Sequence, residues 1–256
     1  IVGLILEYRK LQKAKSTWYD GWREVSDRNY RIHPNYRQEG TVTGRLSCSN
    51  PNMQQVPRDT VGNPVKRLLR ARTGYSLWEF DYSQVELRLA AVYANEPKML
   101  AVFRNGEDPH TAVATAIGVD RHVGKTINFL ILYGGGINKL FEVLENQKAN
   151  YSWDDCEKFM NDYHKTYPNF KQFMYRTAAV AESKGYIQYW TGRKRHMPKD
   201  EWHKGFNSLI QGGAAEIMKD TMLMFYEECI PEIEIVATIH DSLWIEVPVG
   251  REDLLD

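Results

Sequence analysis

The spacing of apolar positions divides the chain into segments of different character. Residues 4–15, LILEYRKLQKAK, repeat apolar side chains at helical intervals against a basic face and predict an amphipathic helix. Periodicity is lost between 29 and 64, where Asn, Gly and Pro accumulate, and that stretch reads as loops with short strands. SLWEFDY (76–82) is β-prone, and SQVELRLAAVYANE (83–96) turns to helical spacing. RHVGKTINFLILYGGG (121–136) predicts a second helix stopped by its glycines. Ser152 and Asp155 form a capping-box pattern, and the helix they open should run to Tyr167, where Pro168 breaks it. Another helix reaches Gly185.

Residues 206–229 predict a long helix despite Gly212 and Gly213, which cost about 1 kcal/mol each against Ala. That cost predicts another backbone or a ligand approaching closely at those glycines. In EIEIVATIHDSLWIEVP (232–248), two apolar β-branched runs flank His240, Asp241 and Ser242 and predict a hairpin. No internal repeat or low-complexity segment interrupts the pattern.

The 256 residues suffice for one large domain or two smaller ones. Lys plus Arg and Asp plus Glu are equal at 33 each, so the net charge of zero does not point to a strongly basic nucleic-acid binder. Local patches still allow one: 64–72 and 191–204 are basic, and 227–235 is acidic. Cys48, Cys156 and Cys229 are far apart, with no CxxC pair or Cys/His cluster to suggest zinc, and their low count fits a reducing compartment. No signal peptide or membrane-length apolar run is visible. A start at Ile1 and an end at REDLLD read as a fragment of a longer chain.

Asp81 closes a predicted strand and Asp241 sits at a predicted hairpin turn. If those strands are neighbours, the carboxylates converge and repel unless protonated or bridged by cations. Oxygen ligands without Cys or His favour Mg²⁺ or Mn²⁺. Two such ions about 3.5–4 Å apart activate an attacking oxygen and stabilise a leaving one. The competing reading of either Asp is a turn residue bonded to backbone amides. Arg121, Lys125, Phe129 and Tyr133 recur every four residues and share a broad helix face. Two cations followed by two rings suit a nucleoside triphosphate, the cations meeting phosphates and the rings sugar or base. Solvated charges beside core aromatics would give the same pattern. Neither GxGxxG nor GxxxxGK[ST] occurs, so Rossmann and P-loop sites are not indicated.

Five segments occur in a fixed order: TVTGRLSCSNPNMQQVP (41–57), DYSQVELR (81–88), RHVGKTINFLILYG (121–134), FNSLIQGGAAEIMK (206–219) and IHDSLWIEVP (239–248). Together they resemble the polymerase domain of family A DNA polymerases, the class of bacterial DNA polymerase I and many phage replicases, over about residues 4–248. The resemblance implies an α/β (α+β) right-hand fold with an antiparallel palm sheet and mainly helical fingers. Residues 1–28 would end the thumb and enter the palm. Residues 29–96 would form palm with motif A, 97–185 the fingers, and 186–256 palm with motif C and a truncated C-terminus.

The resemblance also implies roles. Asp81 and Asp241 are the expected catalytic, metal-binding carboxylates, with the Tyr82 carbonyl as a further ligand to two Mg²⁺ ions, Mn²⁺ being the alternative. Glu86, one helical turn on, is expected under the sugar, excluding a 2′-hydroxyl, and Gln84 is expected on the nucleotide side. Arg121 and Lys125 form the expected triphosphate clamp, with Lys125 counted as catalytic and His110 of DPHTA as a helper. Phe129 would pack on the sugar and Tyr133 stack at the template position. Arg45, Asn207, Gln211 and His240 are expected primer–template contacts, and Lys13 and Asn52 more distant duplex contacts. Template-directed DNA synthesis follows, with primer–template DNA and deoxynucleoside triphosphates as partners, no membrane, and the cytoplasm of a bacterial or phage-infected cell as location.

The sequence departs from the family's pattern at several points. Motif C usually reads His-Asp-Glu, and Ser242 replaces the Glu. The connections from TAIGV to RHVGK and from GRKRHMP to FNSLIQG are short. Two rival readings are a single-subunit phage-type RNA polymerase, which resembles HDS at motif C, and a non-catalytic nucleic-acid-binding module that kept the fold. SQVELR and TGRLS favour the DNA enzymes over the first. The intact Asp81, Asp241, Arg121, Lys125 and Tyr133 oppose the second.

Overall fold

The computed structural model describes residues 1–57, 65–228, 231–239 and 241–255. The amphipathic start is helix α1 (Val2–Ala14), which continues through one wide turn of π-helix, Lys15–Asp20, into α2 (Gly21–Val25). The loop-rich stretch holds a small antiparallel pair, β1 (Asn35–Arg37) and β2 (Ser47–Ser49). Strand β3 (Tyr75–Asp81) leads to α3 (Val85–Ala94). Helices α4 (Pro97–Arg104) and α5 (Pro109–Ile117) follow, each starting on a proline. A proline at the first helical position gives up no hydrogen bond, which is why it opens a helix there.

Next come α6 (Arg121–Leu132), α7 (Ile137–Asn146) and α8 (Trp153–Thr166). The capping box at Ser152 is formed: its hydroxyl accepts from the Asp155 amide, and the Asp155 carboxylate accepts from the Ser152 amide. Pro168 ends α8 and also opens α9 (Pro168–Lys184). A short hairpin, β4 (Tyr186–Gln188) and β5 (Lys194–His196), precedes the long α10 (Gly205–Glu228). The chain closes with β6 (Glu234–Ile239) and β7 (Ser242–Pro248). The expected hairpin is therefore present, although His240 itself lies outside the described residues.

Residues divide into two compact units. The first comprises 1–82 and 218–256. Its sheet is fully antiparallel, in the order β3-β7-β6. Because β7 is central, its side chains from Ser242 to Val247 are all buried. Trp18, Trp22, Met53, Val56, Val65, Ile239 and Trp244 form the core on one side. Trp18 and Trp22 meet edge to face at 5.4 Å. Tyr36 ties β1 to β6 by donating its hydroxyl to the Thr238 carbonyl at 2.9 Å.

The second unit, 83–217, is helical apart from the β4–β5 hairpin. Its core runs from Leu87 and Met99 through Ile127, Ile131, Tyr163 and Phe170 to Phe206 and Ile210. The short connection before α6 is a turn of three residues, 118–120, and the one before α10 is a 3₁₀ helix, Lys199–Lys204. What approaches Gly212 is neither a backbone nor a ligand. A Cβ there would lie 2.2 Å from the Tyr189 hydroxyl, which donates to the Ser208 carbonyl. The α10 glycines thus accommodate aromatic rings of the hairpin loop, with Trp190 against Gly213. No helix among the described residues is long and apolar enough to cross a membrane.

Candidate active site

Within the first unit, strand pairing sets the positions of both acidic residues. Asp81 ends β3 directly opposite Ser242, and Asp241 immediately precedes Ser242. The Tyr82 amide donates to the Asp241 carbonyl at 3.2 Å, so the pairing continues past the strand end. An antiparallel register therefore sets side by side the backbones of two acidic residues 160 positions apart in sequence. Asp81 is exposed and Asp241 half-exposed. The Arg45 guanidinium lies 3.7 Å from Asp241 Oδ1 and offsets part of the negative charge. The Tyr82 hydroxyl bonds to Thr221 Oγ1 at 2.7 Å, fixing the ring of the residue expected to present its carbonyl.

The donor set has a definite chemical character. Among the described residues, no group of three or more His, Cys, Asp and Glu is placed to hold a metal. Two carboxylates and a backbone oxygen are all hard oxygen donors. Such a partial set fits Mg²⁺, which binds through one or two carboxylates and completes its shell with water and substrate phosphate. Softer metals with closed protein shells do not fit it.

Ser242 is not a simple loss of an acid. It is 1% exposed, and its oxygen lies 2.7 Å from the Ile239 carbonyl and 3.2 Å from Glu79 Oε1. The Trp244 indole donates to the same oxygen at 3.2 Å. Glu79 stands two residues before Asp81 on β3 and also accepts from Lys66 Nζ at 2.8 and 2.9 Å. A carboxylate next to position 242 is thus supplied from the neighbouring strand.

The second unit carries the basic and aromatic residues. On α6, Val123, Gly124, Ile127, Asn128, Ile131 and Leu132 are buried. Arg121 and Lys125 are exposed on the other side, with Phe129 half-buried and Tyr133 at the end. Phe129 and Tyr133 stack with centroids 6.3 Å apart, and Lys125 Nζ lies 5.9 Å from the Phe129 ring centroid. His110 of α5 packs on Phe129 at 5.7 Å. Helices α5 and α6 approach closely because of Gly124, where a Cβ would lie 2.6 Å from the His110 carbonyl. Arg121 makes two hydrogen bonds to Asp108, at 2.9 and 3.1 Å. That guanidinium, aided by the Thr111 hydroxyl and amide, holds the Asp108 carboxyl well below the usual range. Burial pushes the His110 pKa down, and Arg121 and Lys125 act in the same direction.

Tyr133 donates its hydroxyl to the buried Glu86 at 3.0 Å, joining the end of α6 to the first turn of α3. Gln84 caps α3 in the left-handed region, with φ of 59°. Asn207 on α10 donates to the Leu132 carbonyl at 3.2 Å, and Gln211 follows one turn later, half-buried. A cavity of about 300 Å³ borders Tyr133, Gly134, Phe206 and Asn207.

The predicted residues thus fall into separate sets. Asp81, Tyr82, Asp241 and Arg45 assemble in the first unit. His110, Arg121, Lys125, Phe129, Tyr133, Glu86 and Asn207 assemble in the second. Lys13, on the exposed face of α1, and Asn52, whose carbonyl oxygen accepts from the Gln54 amide, stand on other elements of the first unit. The sequence reading missed Glu79, Asp108, Asn128 and Tyr163. Asp108 had a usable signal, since an Asp before Pro at a helix start is a strong N-cap. The others are joined only by tertiary contacts.

Comparison with known proteins bears on this arrangement. A family model described as DNA polymerase family A matches residues 1–255. The chain is 34% identical to "DNA polymerase I, thermostable" of Thermus filiformis, over 99% of this chain and 32% of that protein. It is 31% identical to DNA polymerase I of Deinococcus radiodurans, over 99% of this chain and 28% of that protein. It therefore spans only about a third of the length of these curated relatives. Among solved structures, the POL domain of Pol1 from M. smegmatis, in complex with DNA primer-template and dNTP, superposes with a TM-score of 0.87 at 25% identity. That match covers 97% of this chain and 47% of the other.

Proposed function

Because the chain belongs to DNA polymerase family A, we propose that the protein extends a DNA primer on a template, using deoxynucleoside triphosphates. The observation that carries this reading is the antiparallel register that sets Asp81 beside Asp241 at the β3–β7 strand ends. Asp81, Asp241 and the Tyr82 carbonyl would hold two Mg²⁺ ions. Bound there, the ions would supply activation of the primer 3′-hydroxyl and neutralisation of charge on the triphosphate and leaving pyrophosphate. In this reading residues 1–28 end the thumb and enter the palm, the rest of the first unit is palm, and α5 and α6 belong to the fingers.

Lys125 and Arg121 bind the triphosphate as cations, with Arg121 exchanging Asp108 for phosphate. His110 donates a hydrogen bond to the same group. Phe129 packs on the sugar, and Glu86, held by Tyr133, closes the space a 2′-hydroxyl would need. Tyr133, Asn207 and Gln211 meet the template side, and Arg45, Lys13 and Asn52 the duplex. Phosphate contacts of this kind orient the duplex without reading its sequence. The solved relative that was captured with primer-template and dNTP supports this substrate class.

Extension of a labelled primer with Mg²⁺ and the four deoxynucleotides tests the proposal. Template-dependent extension is expected, with strong preference for deoxy- over ribonucleotides. Duplex binding without extension would instead favour the non-catalytic reading, and equal use of ribonucleotides would remove Glu86 as the sugar gate.

A further inference from the structure

Three buried polar groups lie behind the nucleotide face of α6, and two of them, Asn128 and Tyr163, have no role assigned above. Asn128 is fully buried on α6, Tyr163 fully buried on α8, and His110 2% exposed on α5. The Asn128 amide nitrogen donates to the Pro109 carbonyl at 3.2 Å and lies 3.1 Å from His110 Nδ1. Its carbonyl oxygen accepts from the Tyr163 hydroxyl at 3.3 Å. Burial raises the Tyr163 pKa well above that of a free phenol, so this hydroxyl keeps its proton and donates.

These partners leave the amide one orientation. The Pro109 carbonyl can only accept, so it must face the NH₂ group. A flipped amide would place two acceptors together at a fully buried position, which is costly. With NH₂ facing Pro109, its second proton faces His110 Nδ1. That ring nitrogen must therefore be the acceptor, and the ring proton must sit on Nε2.

We propose that Asn128, oriented by Tyr163 and the Pro109 carbonyl, is a positioning residue that fixes His110 as the neutral Nε2–H tautomer, ready to donate to a triphosphate oxygen. The phosphate half of this statement rests on the function proposed above; the tautomer half does not. A doubly protonated ring would turn an N–H toward the Asn128 NH₂ and break the arrangement. The surroundings of the ring act unequally: burial, the largest influence, disfavours its protonation, Asp108 favours it, and Arg121 and Lys125 disfavour it. His110 is thereby a neutral donor between two cations, adding a directed hydrogen bond where a third positive charge would repel them.

The test uses ring-¹⁵N-labelled histidine and long-range ¹H–¹⁵N correlation, with His110→Gln identifying the His110 signals among the seven histidines. Near neutral pH, His110 should show the Nε2–H pattern. An Nδ1–H pattern, or a doubly protonated ring, overturns the proposal, and the tautomer itself is read on the wild-type protein. Asn128→Asp replaces the donor with an acceptor, so the ring proton should move to Nδ1 and the midpoint of protonation should rise. An unchanged tautomer in that variant overturns Asn128 as its cause. Adding a deoxynucleoside triphosphate to the wild type should shift the Nε2 resonance. If the tautomer is as stated and the nucleotide leaves Nε2 unmoved, the phosphate contact of His110 is overturned and the tautomer lock stands as a purely structural device. In extension assays Asn128→Asp should raise the nucleotide KM roughly tenfold with a smaller change in kcat.

Discussion

The β3–β7 strand ends and the α5–α6 helix pair each hold candidate catalytic groups, and they hold them by different means. Asp81 and Asp241 owe their proximity to backbone pairing alone, and their side chains stand toward solvent. His110, Phe129 and Tyr133 owe theirs to packing: the close helix approach at Gly124, stacked rings, and the Asn128–Tyr163 hydrogen bonds. Backbone register tolerates a change of side chain. A packed polar network does not, because each member leaves another unsatisfied when it goes. Substitutions of the Asp81 and Asp241 side chains should therefore change chemistry and spare stability, whereas those behind the second site should change both.

The largest effect should come from the carboxylates. Asp81→Asn or Asp241→Asn should slow extension on the order of 10³-fold or more, since in the proposed function several kcal/mol of transition-state stabilisation would depend on cations held by these carboxylates. Duplex binding and the unfolding midpoint should stay close to wild type. A large drop in thermal stability would erase the contrast drawn here.

Ser242→Glu should come next, as a stability effect. Restoring the acid usual at this position sets a second carboxylate against Glu79 at a buried site and should cost about 3 kcal/mol. Glu79→Ser in the same chain should recover most of that loss, by thermal or urea unfolding. No recovery would mean that Glu79 does not stand in for the missing acid.

Lys125→Ala should weaken nucleotide use by about 1.5–3 kcal/mol, roughly 10–150-fold in kcat/KM, with primer–template affinity little changed. Gly124→Ala should destabilise by about 1–3 kcal/mol, because the new methyl meets the His110 backbone, which cannot move independently of its helix. The His110 ring signals should shift in that variant.

The smallest effect concerns pH. His110 is harder to protonate folded than unfolded. As pH falls through about 6.5, the unfolded chain takes up a proton that the folded one refuses, so stability should decline. His110→Gln should flatten that part of the profile of unfolding midpoint against pH.

How much was legible in the sequence follows the same division. The strand ending at Asp81 was readable from its aromatic residues and the hairpin carrying Asp241 from its β-branched runs, and a carboxylate at each end is conspicuous. The α6 face was readable from its four-residue spacing. Helices α4 and α5 were not assigned, since they are short and begin on prolines, which read more readily as breaks. Gly212 and Gly213 were rightly read as a close approach, but the partner is an aromatic ring from a hairpin loop that no local pattern announces. Asn128 and Tyr163 lie 35 residues apart on different helices. A buried Asn within an apolar helix was the one available sign, and its partners became visible only through packing.

The proposed function divides the labour between two regions: the strand-end carboxylates would serve the chemical step, and the α6 face would serve nucleotide binding. Single-turnover incorporation of one nucleotide, with rate followed against nucleotide concentration, measures the two separately. Asp241→Asn should lower the maximal rate by orders of magnitude. Lys125→Ala should chiefly raise the nucleotide concentration at half-maximal rate. If Asp241→Asn changes only the concentration dependence, or retains a near-normal maximal rate, the carboxylate pair is not the catalytic centre and the account is contradicted.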